Sequence, residues 1–215
     1  MSDYYNTFPD WSDIIGPRVQ KALQSRFFEA YYCKTAEEAK EQALKLLPEG
    51  SSVSWGGSLT IREIGLVDAV NAGNYTVIDR DTANSPEERN ELMRQGLLCD
   101  TFLTSVNAIS EEGEFVNIDG LGNRVAAITF GPNSVIAVVG MNKVCKTLED
   151  AHIRARNYAS PLNALRFGLN TPCSTTGTCA NCKGSDSICS IIVTTRLCKI
   201  PNRIKVILVG EPLGM

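Results

Sequence analysis

The stretch SSVSWGGSLTIREIGLVDAVNAGNYTVID (residues 51–79) carries the pattern that indicates the fold class. SSVSW (51–55) predicts a short strand, and Gly56-Gly57-Ser58 turns the chain into a helix. The helix is indicated by apolar residues at helical spacing, which are Ile61, Ile64, Leu66 and Ala69. YTVID (75–79) predicts the next strand, so this stretch has the strand–helix–strand order of a parallel sheet.

The same alternation continues toward the C-terminus. SVIAVVG (134–140) is a nearly continuous apolar run, which is typical of a strand buried on both faces of a parallel sheet. A helix over 147–159 follows it, and IIVTTR (191–196) and RIKVILVG (203–210) predict two late strands. We therefore predict an α/β fold with a mostly parallel open sheet flanked by helices.

One segment interrupts the alternation of strands and helices. DTFLTSVNAIS (100–110), Glu112-Gly113 and EFVNID (114–119) predict a strand, a tight turn and a return strand, so one antiparallel β-hairpin is inserted.

Residues 1–14 are predicted to be irregular, and residues 15–215 to form a single domain that includes a C-terminal Cys-rich loop. A helix is predicted to begin near Pro17, with an apolar stripe made of Val19, Leu23, Phe27 and Ala30.

Composition narrows the function classes. The chain has 215 residues, of which 43% are hydrophobic and 21% charged, and its formal net charge is −3. This is ordinary for a globular domain and lacks the clustered Lys and Arg of a nucleic-acid-binding surface. A small anionic ligand remains compatible with it, because such a site needs only two or three cations.

The compartment affects how the eight cysteines are interpreted. The start MSDYYNTFPDWSD has neither a basic segment nor the apolar core of a signal peptide, and no apolar run reaches the length of a membrane helix. We therefore expect a cytoplasmic protein that is not membrane-bound. In a reducing compartment, metal ligation or chemistry explains cysteines better than disulfides do.

The Gly-rich turn is a candidate ligand loop. It lies between a strand and a helix, where backbone N–H groups and the helix dipole favour an anion. Its candidate ligand-binding residues are Gly56, Gly57, Ser58 and Thr60. The alternative is a tight turn in which Ser58 only caps the helix. Classical dinucleotide binding is disfavoured because G-x-G-x-x-G is absent, although Asp79 ends the next strand.

A polar cluster lies within residues 104–124. The candidate ligand-binding residues of this cluster are Asn107, Asn123 and Arg124, of which Arg124 could hold a carboxylate bidentately. Asp119 is a candidate general base, although Asp, Asn and Gly also simply build turns. After the strand at 134–140, Asn142 and Lys143 are the candidates. Lys143 could be a point charge for phosphate or carboxylate, but a solvated loop lysine is the interpretation that the sequence favours. The remaining titratable residues are weaker: Glu63 is a weak acid/base candidate and His152 a surface or packing residue.

The segment TPCSTTGTCANCKGSDSIC (171–189) is a candidate metal site. Its spacing is C-x5-C-x2-C-x6-C, formed by Cys173, Cys179, Cys182 and Cys189. Structural zinc usually has two C-x2-4-C pairs, whereas only one such pair is present here. The uneven spacing and the hydroxyl-rich loop favour an iron–sulfur cluster of the 4Fe-4S type, with zinc or four free thiols as the alternatives.

Four separated blocks resemble the LUD domain (lactate utilisation) family over approximately residues 15–215. They are WGGSLTIREIGL (55–66), TFLTSVNAISEEGEFVNIDGLGNRVAAITFGPNSVIAVVGMNKV (101–144), ARNYASPLNALRFGLNTPC (155–173) and TGTCANC (176–182). The resemblance implies a fold like that of sugar-phosphate isomerases and CoA transferases, with ligands at the carboxyl ends of strands. It also assigns the family's glycine loop, its NIDGLGNR and G-x-N-K segments and its metal-type cysteines to the candidates named above.

The resemblance further implies a bacterial protein that acts with iron–sulfur partner proteins in oxidising L-lactate to pyruvate. Larger lactate-utilisation subunits resemble a LUD domain followed by ferredoxin-type repeats, which this sequence lacks. The leading hypothesis is a small LUD protein that binds an anionic metabolite and one metal centre, and a homo-oligomer is compatible with it. The alternatives are an isomerase or CoA-transferase-like enzyme that uses Asp119 or Glu63, and a non-enzymatic redox or ligand sensor.

Overall fold

The computed structural model describes residues 7–215. Its helices are α1 (Phe8–Ser25), α2 (Ala36–Lys45), α3 (Leu59–Glu63), α4 (Leu66–Ala72), α5 (Pro86–Gln95), α6 (Asn123–Thr129), α7 (Leu148–Arg154), α8 (Ser160–Arg166) and α9 (Pro172–Thr176). Its strands are β1 (Glu29–Cys33), β2 (Ser52–Trp55), β3 (Thr76–Ile78), β4 (Thr101–Thr104), β5 (Ala108–Ser110), β6 (Phe115–Asp119), β7 (Ser134–Gly140), β8 (Val144–Cys145), β9 (Ile191–Thr195) and β10 (Ile204–Val209). No helix among residues 7–215 has the length and apolar character needed to cross a membrane.

The main sheet has six parallel strands in the order β1-β10-β7-β4-β2-β3 among the described residues. Successive residues of β7 point to opposite faces, so Val135 joins the core on the side of α1 and Ile136 the core on the side of α2 and α4. Both faces are covered by helices, which explains why 134–140 is apolar throughout. The predicted α/β fold with a mostly parallel, helix-flanked sheet is confirmed.

A smaller sheet lies beside it, in the order β8-β5-β6-β9. The predicted hairpin is present as β5 and β6, but the single strand expected over 100–110 is two strands in different sheets. The chain leaves the main sheet at Ser105 because Asn107 pairs instead with β6, its N–H donating to the carbonyl of Val116 and its side chain accepting from the N–H of Ile118. IIVTTR also belongs to this smaller sheet, as β9.

The N-terminal region differs from its prediction. The irregular segment expected over 1–14 is wrong for residues 8–14, which are the first turns of α1, while residues 1–6 lie outside the described part of the chain. A proline at the start of the helix and Asp10 in its first turn both favour initiation there. The helix also ends earlier than predicted, because Phe27 has a positive φ of 67° and Ala30 belongs to β1.

The helix predicted over 147–159 is longer and interrupted. α7 begins with a capping box in which Thr147 and Asp150 satisfy each other's backbone N–H groups. A π-helical segment, Ala155–Ala159, joins it to α8. Pro161 has no N–H to continue the regular ladder there, and the Ser160 hydroxyl donates to the carbonyl of Ala155 at 2.9 Å. This interruption sets the direction of α8, which lines the candidate site.

Candidate functional site

A cavity of about 260 Å³ lies at the carboxyl ends of the central parallel strands. The segments after β2, β4 and β7 supply residues 57–60, residues 105–107 and Lys143. The end of β6, the start of α6 and α8 enclose the other side. Open α/β sheets place ligands at the carboxyl ends of their parallel strands, and the polar residues that follow these strands therefore converge on one place.

The Gly-rich turn lies between two guanidinium groups. A Cβ on Gly57 would be only 2.8 Å from Nη2 of Arg80, so glycine permits this close approach. On the other side, both Nη atoms of Arg166 lie 3.3–3.4 Å from the carbonyl oxygen of Gly57. Ser58 caps α3, accepting from the N–H of Ile61 at 3.4 Å. The turn is thus a capped helix start and also one wall of a cationic cavity.

Lys143 is the most unusual group in the cavity wall. Its side chain is buried, at 3% exposure, and its Nζ donates to the hydroxyls of Thr60 at 2.8 Å and Ser105 at 2.9 Å. Burial lowers the pKa of Lys143 to about 7; the neighbouring Arg154 and Arg124 act in the same direction, and Glu63 opposes them. A lysine that titrates near neutrality inside a cavity is a candidate functional group.

Arg124 organises the wall beside it. Its Nη1 donates to the side-chain oxygen of Asn117 at 2.8 Å, and its Nη2 donates to that of Asn107 at 3.0 Å. The carbonyls of Ser105 and Ile118 accept from the same two nitrogens. Because these donors already have protein acceptors, the bidentate carboxylate contact proposed for Arg124 would require it to break them. The side chain lies at the cavity as a scaffold for its wall.

Asp119 has a structural task as well. One of its carboxylate oxygens accepts from the backbone N–H groups of Arg124 and Val125, at 3.0 and 3.2 Å, and so caps the start of α6. Its other oxygen is 3.7 Å from Nε of Arg124. Asn123, at the first position of α6, lines the cavity with it. Asp119 is therefore within reach of a ligand but already engaged.

Glu63 and Asn142 hold the segment 213–215. A carboxylate oxygen of Glu63 accepts from the N–H of Gly214 at 2.6 Å, and the side-chain oxygen of Asn142 accepts from the N–H of Leu213 at 3.1 Å. A Cβ on Gly214 would lie 3.1 Å from Nζ of Lys143, so this backbone covers the amine. Both residues act on the site through this segment.

Sequence reasoning missed two arginines of the cavity, Arg80 and Arg166. Arg80 directly follows the strand predicted at 75–79, and Arg166 lies within the block at 155–173. Nε of Arg80 is buried and forms no hydrogen bond in the described chain, although it lies 3.8 Å from a carboxylate oxygen of Asp81, and Nη1 donates to the sulfur of Met93 at 3.4 Å. An arginine after a strand end was a usable signal, but a helix arginine such as Arg166 has no local feature that aims it at a site.

The cysteine loop forms the outer wall of the same cavity. Ile188 lines it, and a Cβ on Gly120 would be 3.6 Å from the Cα of Ile188. Burial raises the pKa of the Cys189 thiol, a hydrogen bond with Ser160 lowers it, and nearby Cys179, Cys173 and Cys182 raise it. The four thiols therefore share one neighbourhood, although they are free and only partly buried.

The fit of a metal to these thiols is incomplete. Within residues 7–215, no three Cys, His, Asp or Glu side chains are arranged to hold a metal ion. Four thiols are suitable donors for iron–sulfur or zinc, but they would have to move together to form a coordination shell. Two of the other cysteines, Cys33 and Cys99, are buried among apolar residues, and burial raises the pKa of each thiol to about 11. His152 contacts the hydroxyl of Thr194 at 2.9 Å, tying α7 to β9.

Comparisons with known proteins agree with this architecture. Residues 17–209 match the LUD domain family. Among solved structures, the chain is similar to a DUF162 family protein from Deinococcus radiodurans, with a TM-score of 0.53 and 16% identity over 92% of this chain and 98% of that one. A lesser likeness, to eIF2B delta from Chaetomium thermophilum, has a TM-score of 0.34 and 15% identity over 66% of this chain and 55% of that one. No curated protein sequence matches the chain.

The likeness to the Deinococcus structure concerns the fold alone, whereas the family match spans nearly the whole sequence and includes every strand of the main sheet. On that match, the chain belongs to the LUD domain family.

Proposed function

We propose that the cavity binds a small anionic metabolite of the hydroxy-acid or oxo-acid class. We also propose that the chain takes part in the metabolism of lactate or related hydroxy acids. The observation that carries this proposal is the charge of the cavity wall. Three arginines and one lysine line it, together with the side-chain carboxylate of Asp119 among the described residues; they are Arg80, Arg124, Arg166 and Lys143, whose amine is only partly protonated near neutrality. Such an excess of positive charge in a partly enclosed space favours an anion.

The roles of the cations differ. Arg124 is fully engaged by the protein. Nε of Arg80 forms no hydrogen bond in the described chain and has only a long ion pair with Asp81, and the hydrogen bonds of Arg166 are long contacts to the Gly57 carbonyl. Arg80 and Arg166 are therefore the groups with donors left for a carboxylate, one on each side of Gly57. The neutral hydroxyls of Thr60 and Ser105 are available for a substrate oxygen near Lys143.

The size of the cavity supports a small ligand. Its volume of about 260 Å³ is below the roughly 300–1,000 Å³ typical of pockets for drug-sized molecules. A three-carbon acid would fit inside it, whereas a CoA ester could place only its acyl end there. Membership of the LUD domain family is consistent with a hydroxy-acid ligand.

Isothermal titration calorimetry of the full chain tests this proposal. L-Lactate, pyruvate, glycolate and inorganic phosphate are titrated separately, with neutral lactamide as the ligand control. We expect a carboxylate to bind and lactamide not to bind. Arg166→Met should weaken that binding about tenfold or more, which corresponds to the loss of one charge-assisted hydrogen bond. Arg94→Met, which removes an exposed arginine of α5, is the matched control. The proposal fails if none of these anions binds, or if both variants weaken binding equally.

We further propose that the loop at 173–189 holds a cysteine-ligated metal centre, iron–sulfur in preference to zinc. Support comes from the shared neighbourhood of the four thiols and from the donor set itself. Arg156, which donates to the sulfur of Cys179 at 3.6 Å, would stabilise a negatively charged centre. Iron–sulfur proteins of lactate utilisation are the proposed redox partners.

Metal and sulfide analysis of protein purified without oxygen tests the second proposal. Iron with an equivalent amount of sulfide supports a cluster, and one zinc per chain supports a structural zinc site. If the protein contains neither iron nor zinc, the proposal is overturned. Cys179→Ser with Cys182→Ser should abolish the metal, whereas Cys145→Ser, a partly buried cysteine outside the loop, should retain it.

An isomerase or CoA-transferase-like activity is the alternative function for the same cavity. Its two acid/base candidates, Asp119 and Glu63, are engaged in capping α6 and in holding Gly214. These contacts favour the binding function over acid/base chemistry by either carboxylate.

A further inference from the structure

Lys143 has features of a nucleophile that ligand binding alone does not require. Both hydrogen-bond partners of its Nζ in the described chain are neutral hydroxyls, from Thr60 and Ser105. A lysine kept as a cation is more often paired with a carboxylate, as Lys34 is with Asp13. The environment of Lys143 instead accommodates an uncharged amine.

The two hydroxyls also orient that amine. An uncharged amine has two N–H groups and one lone pair, and a donor distance of 2.8–2.9 Å to each hydroxyl uses both N–H groups. The lone pair is then left for the cavity that Lys143 lines. Each hydroxyl keeps its own hydrogen, which can be donated to an oxygen attached to the attacked carbon.

The charged groups that face the amine come from three helices. Burial, Arg154 of α7 and Arg124 of α6 disfavour protonation of the amine. Glu63 of α3 favours protonation, but its effect is the smallest of the four. The backbone of Gly214 covers the amine from the remaining side. Desolvation together with a neighbouring cation is a known way to activate a lysine for attack on a carbonyl.

We propose that Lys143 forms an imine with the carbonyl carbon of a 2-oxo acid held in this cavity. The inference rests on the proposed function, because the carboxylate of the oxo acid would be bound by Arg80 and Arg166. It adds a substrate class and a covalent step to simple binding.

The step balances without a redox partner. The Nζ lone pair of Lys143 attacks the carbonyl carbon, the C–N bond forms and the C=O π bond breaks; the nitrogen loses one proton and the oxygen takes one, which gives a carbinolamine. The oxygen then takes a second proton, the C–O bond breaks and water leaves, and the nitrogen loses its second hydrogen as a proton to give the imine. Ser105 or Thr60 can supply the proton to the oxygen, because both hydroxyls contact Nζ.

Reductive trapping on the full chain tests the proposal. The protein is incubated with pyruvate at neutral pH, reduced with borohydride and digested, and the modified lysines are located by mass spectrometry. L-Lactate, which has no carbonyl, is the ligand control. The exposed Lys21 of α1 is the internal reference. An ordinary lysine is uncharged in only about one molecule in a thousand at neutral pH, so we expect Lys143 to be trapped about 100-fold faster than Lys21.

Lys143→Met removes the amine without adding a charge and cannot form an imine. We expect this variant to lose the adduct at position 143, while the exposed Lys21 reacts at its wild-type rate. If wild-type protein binds pyruvate but traps no more of it at Lys143 than at Lys21, the imine is excluded and the proposed binding function stands. If calorimetry detects no carboxylate binding at all, both proposals are overturned.

Discussion

The Nζ atom of Lys143 lies 2.8 Å from the hydroxyl oxygen of Thr60. Thr60 belongs to the helix that starts at the Gly-rich turn after β2, and Lys143 to the short 3-10 helix after β7. This contact joins two strand ends that are separated in the sheet by β4. It brings a basic group from one strand end to the anion-favouring turn at another, and the predictions about the site depend on it.

The buried amine of Lys143 should make stability depend on pH. Its pKa is lowered to about 7 in the folded protein, whereas the unfolded chain has an ordinary lysine with a pKa near about 10.4. Between these values the unfolded state binds the additional proton, so the free energy of unfolding contributed by this group rises with pH. Relative to Lys143→Met, the wild type should gain up to about 1.4 kcal/mol per pH unit above neutrality.

Urea denaturation of wild type and Lys143→Met at several pH values from about 6 to 9 measures this difference. Below about pH 7 the lysine is protonated in both states, so the difference should become constant. Lys21→Met, at an exposed position, should give no such slope. A pH-independent difference between wild type and Lys143→Met would contradict the lowered pKa.

Arg124→Met should destabilise the fold strongly. The substitution removes one donor from each of four buried or partly buried acceptors, and it removes the cationic partner of Asp119. Breaking a buried, hydrogen-bonded ion pair typically costs about 3–5 kcal/mol. Arg62→Met, which breaks an exposed ion pair with Asp81, should cost less than about 1 kcal/mol. Equal losses for the two variants in chemical denaturation would show that Arg124 is not a scaffold.

Asp119→Asn separates a structural role from a catalytic one. The amide oxygen can still accept from the backbone N–H groups of Arg124 and Val125, but the charge beside Arg124 is lost, so a stability loss of about 1–2 kcal/mol is expected. Anion affinity should be unchanged or higher, because a negative charge leaves the cavity wall. A large loss of turnover on any substrate, with unchanged stability, would instead support the general-base prediction.

Gly140→Ala should displace the segment 213–215 from Lys143. The added Cβ would lie 2.6 Å from the backbone nitrogen of Leu213 and 2.5 Å from the side-chain oxygen of Asn142. Overpacking of this kind typically costs about 1–3 kcal/mol. Hydrogen exchange at Leu213 and Gly214 should accelerate, whereas Gly184→Ala, where a Cβ meets open space, should leave that exchange unchanged. Unaltered exchange in Gly140→Ala would mean that the segment is held from elsewhere.

Elements defined by local pattern were predictable. The apolar run at 134–140 is a strand buried on both faces, and the turn at 56–58 leads from a strand into a helix. Elements defined by their partners were not. Glu29–Cys33 has no strong strand pattern and becomes a strand because it pairs in parallel with β10. Likewise, nothing local to 100–110 shows that the chain changes sheet at Ser105.

The polar and basic residues that follow the strands can be identified from the sequence, because turn and cap chemistry is local. What these residues do depends on tertiary contacts. Arg124 and Asp119 are engaged by neighbours far along the chain, while Arg80 and Arg166, from separate elements, meet at Gly57. The same holds for Lys143, a solvated loop lysine by sequence, whose proton affinity depends on burial and on arginines from two helices. Burial and hydrogen-bond pairing arise from long-range packing, which no local spacing of residues encodes.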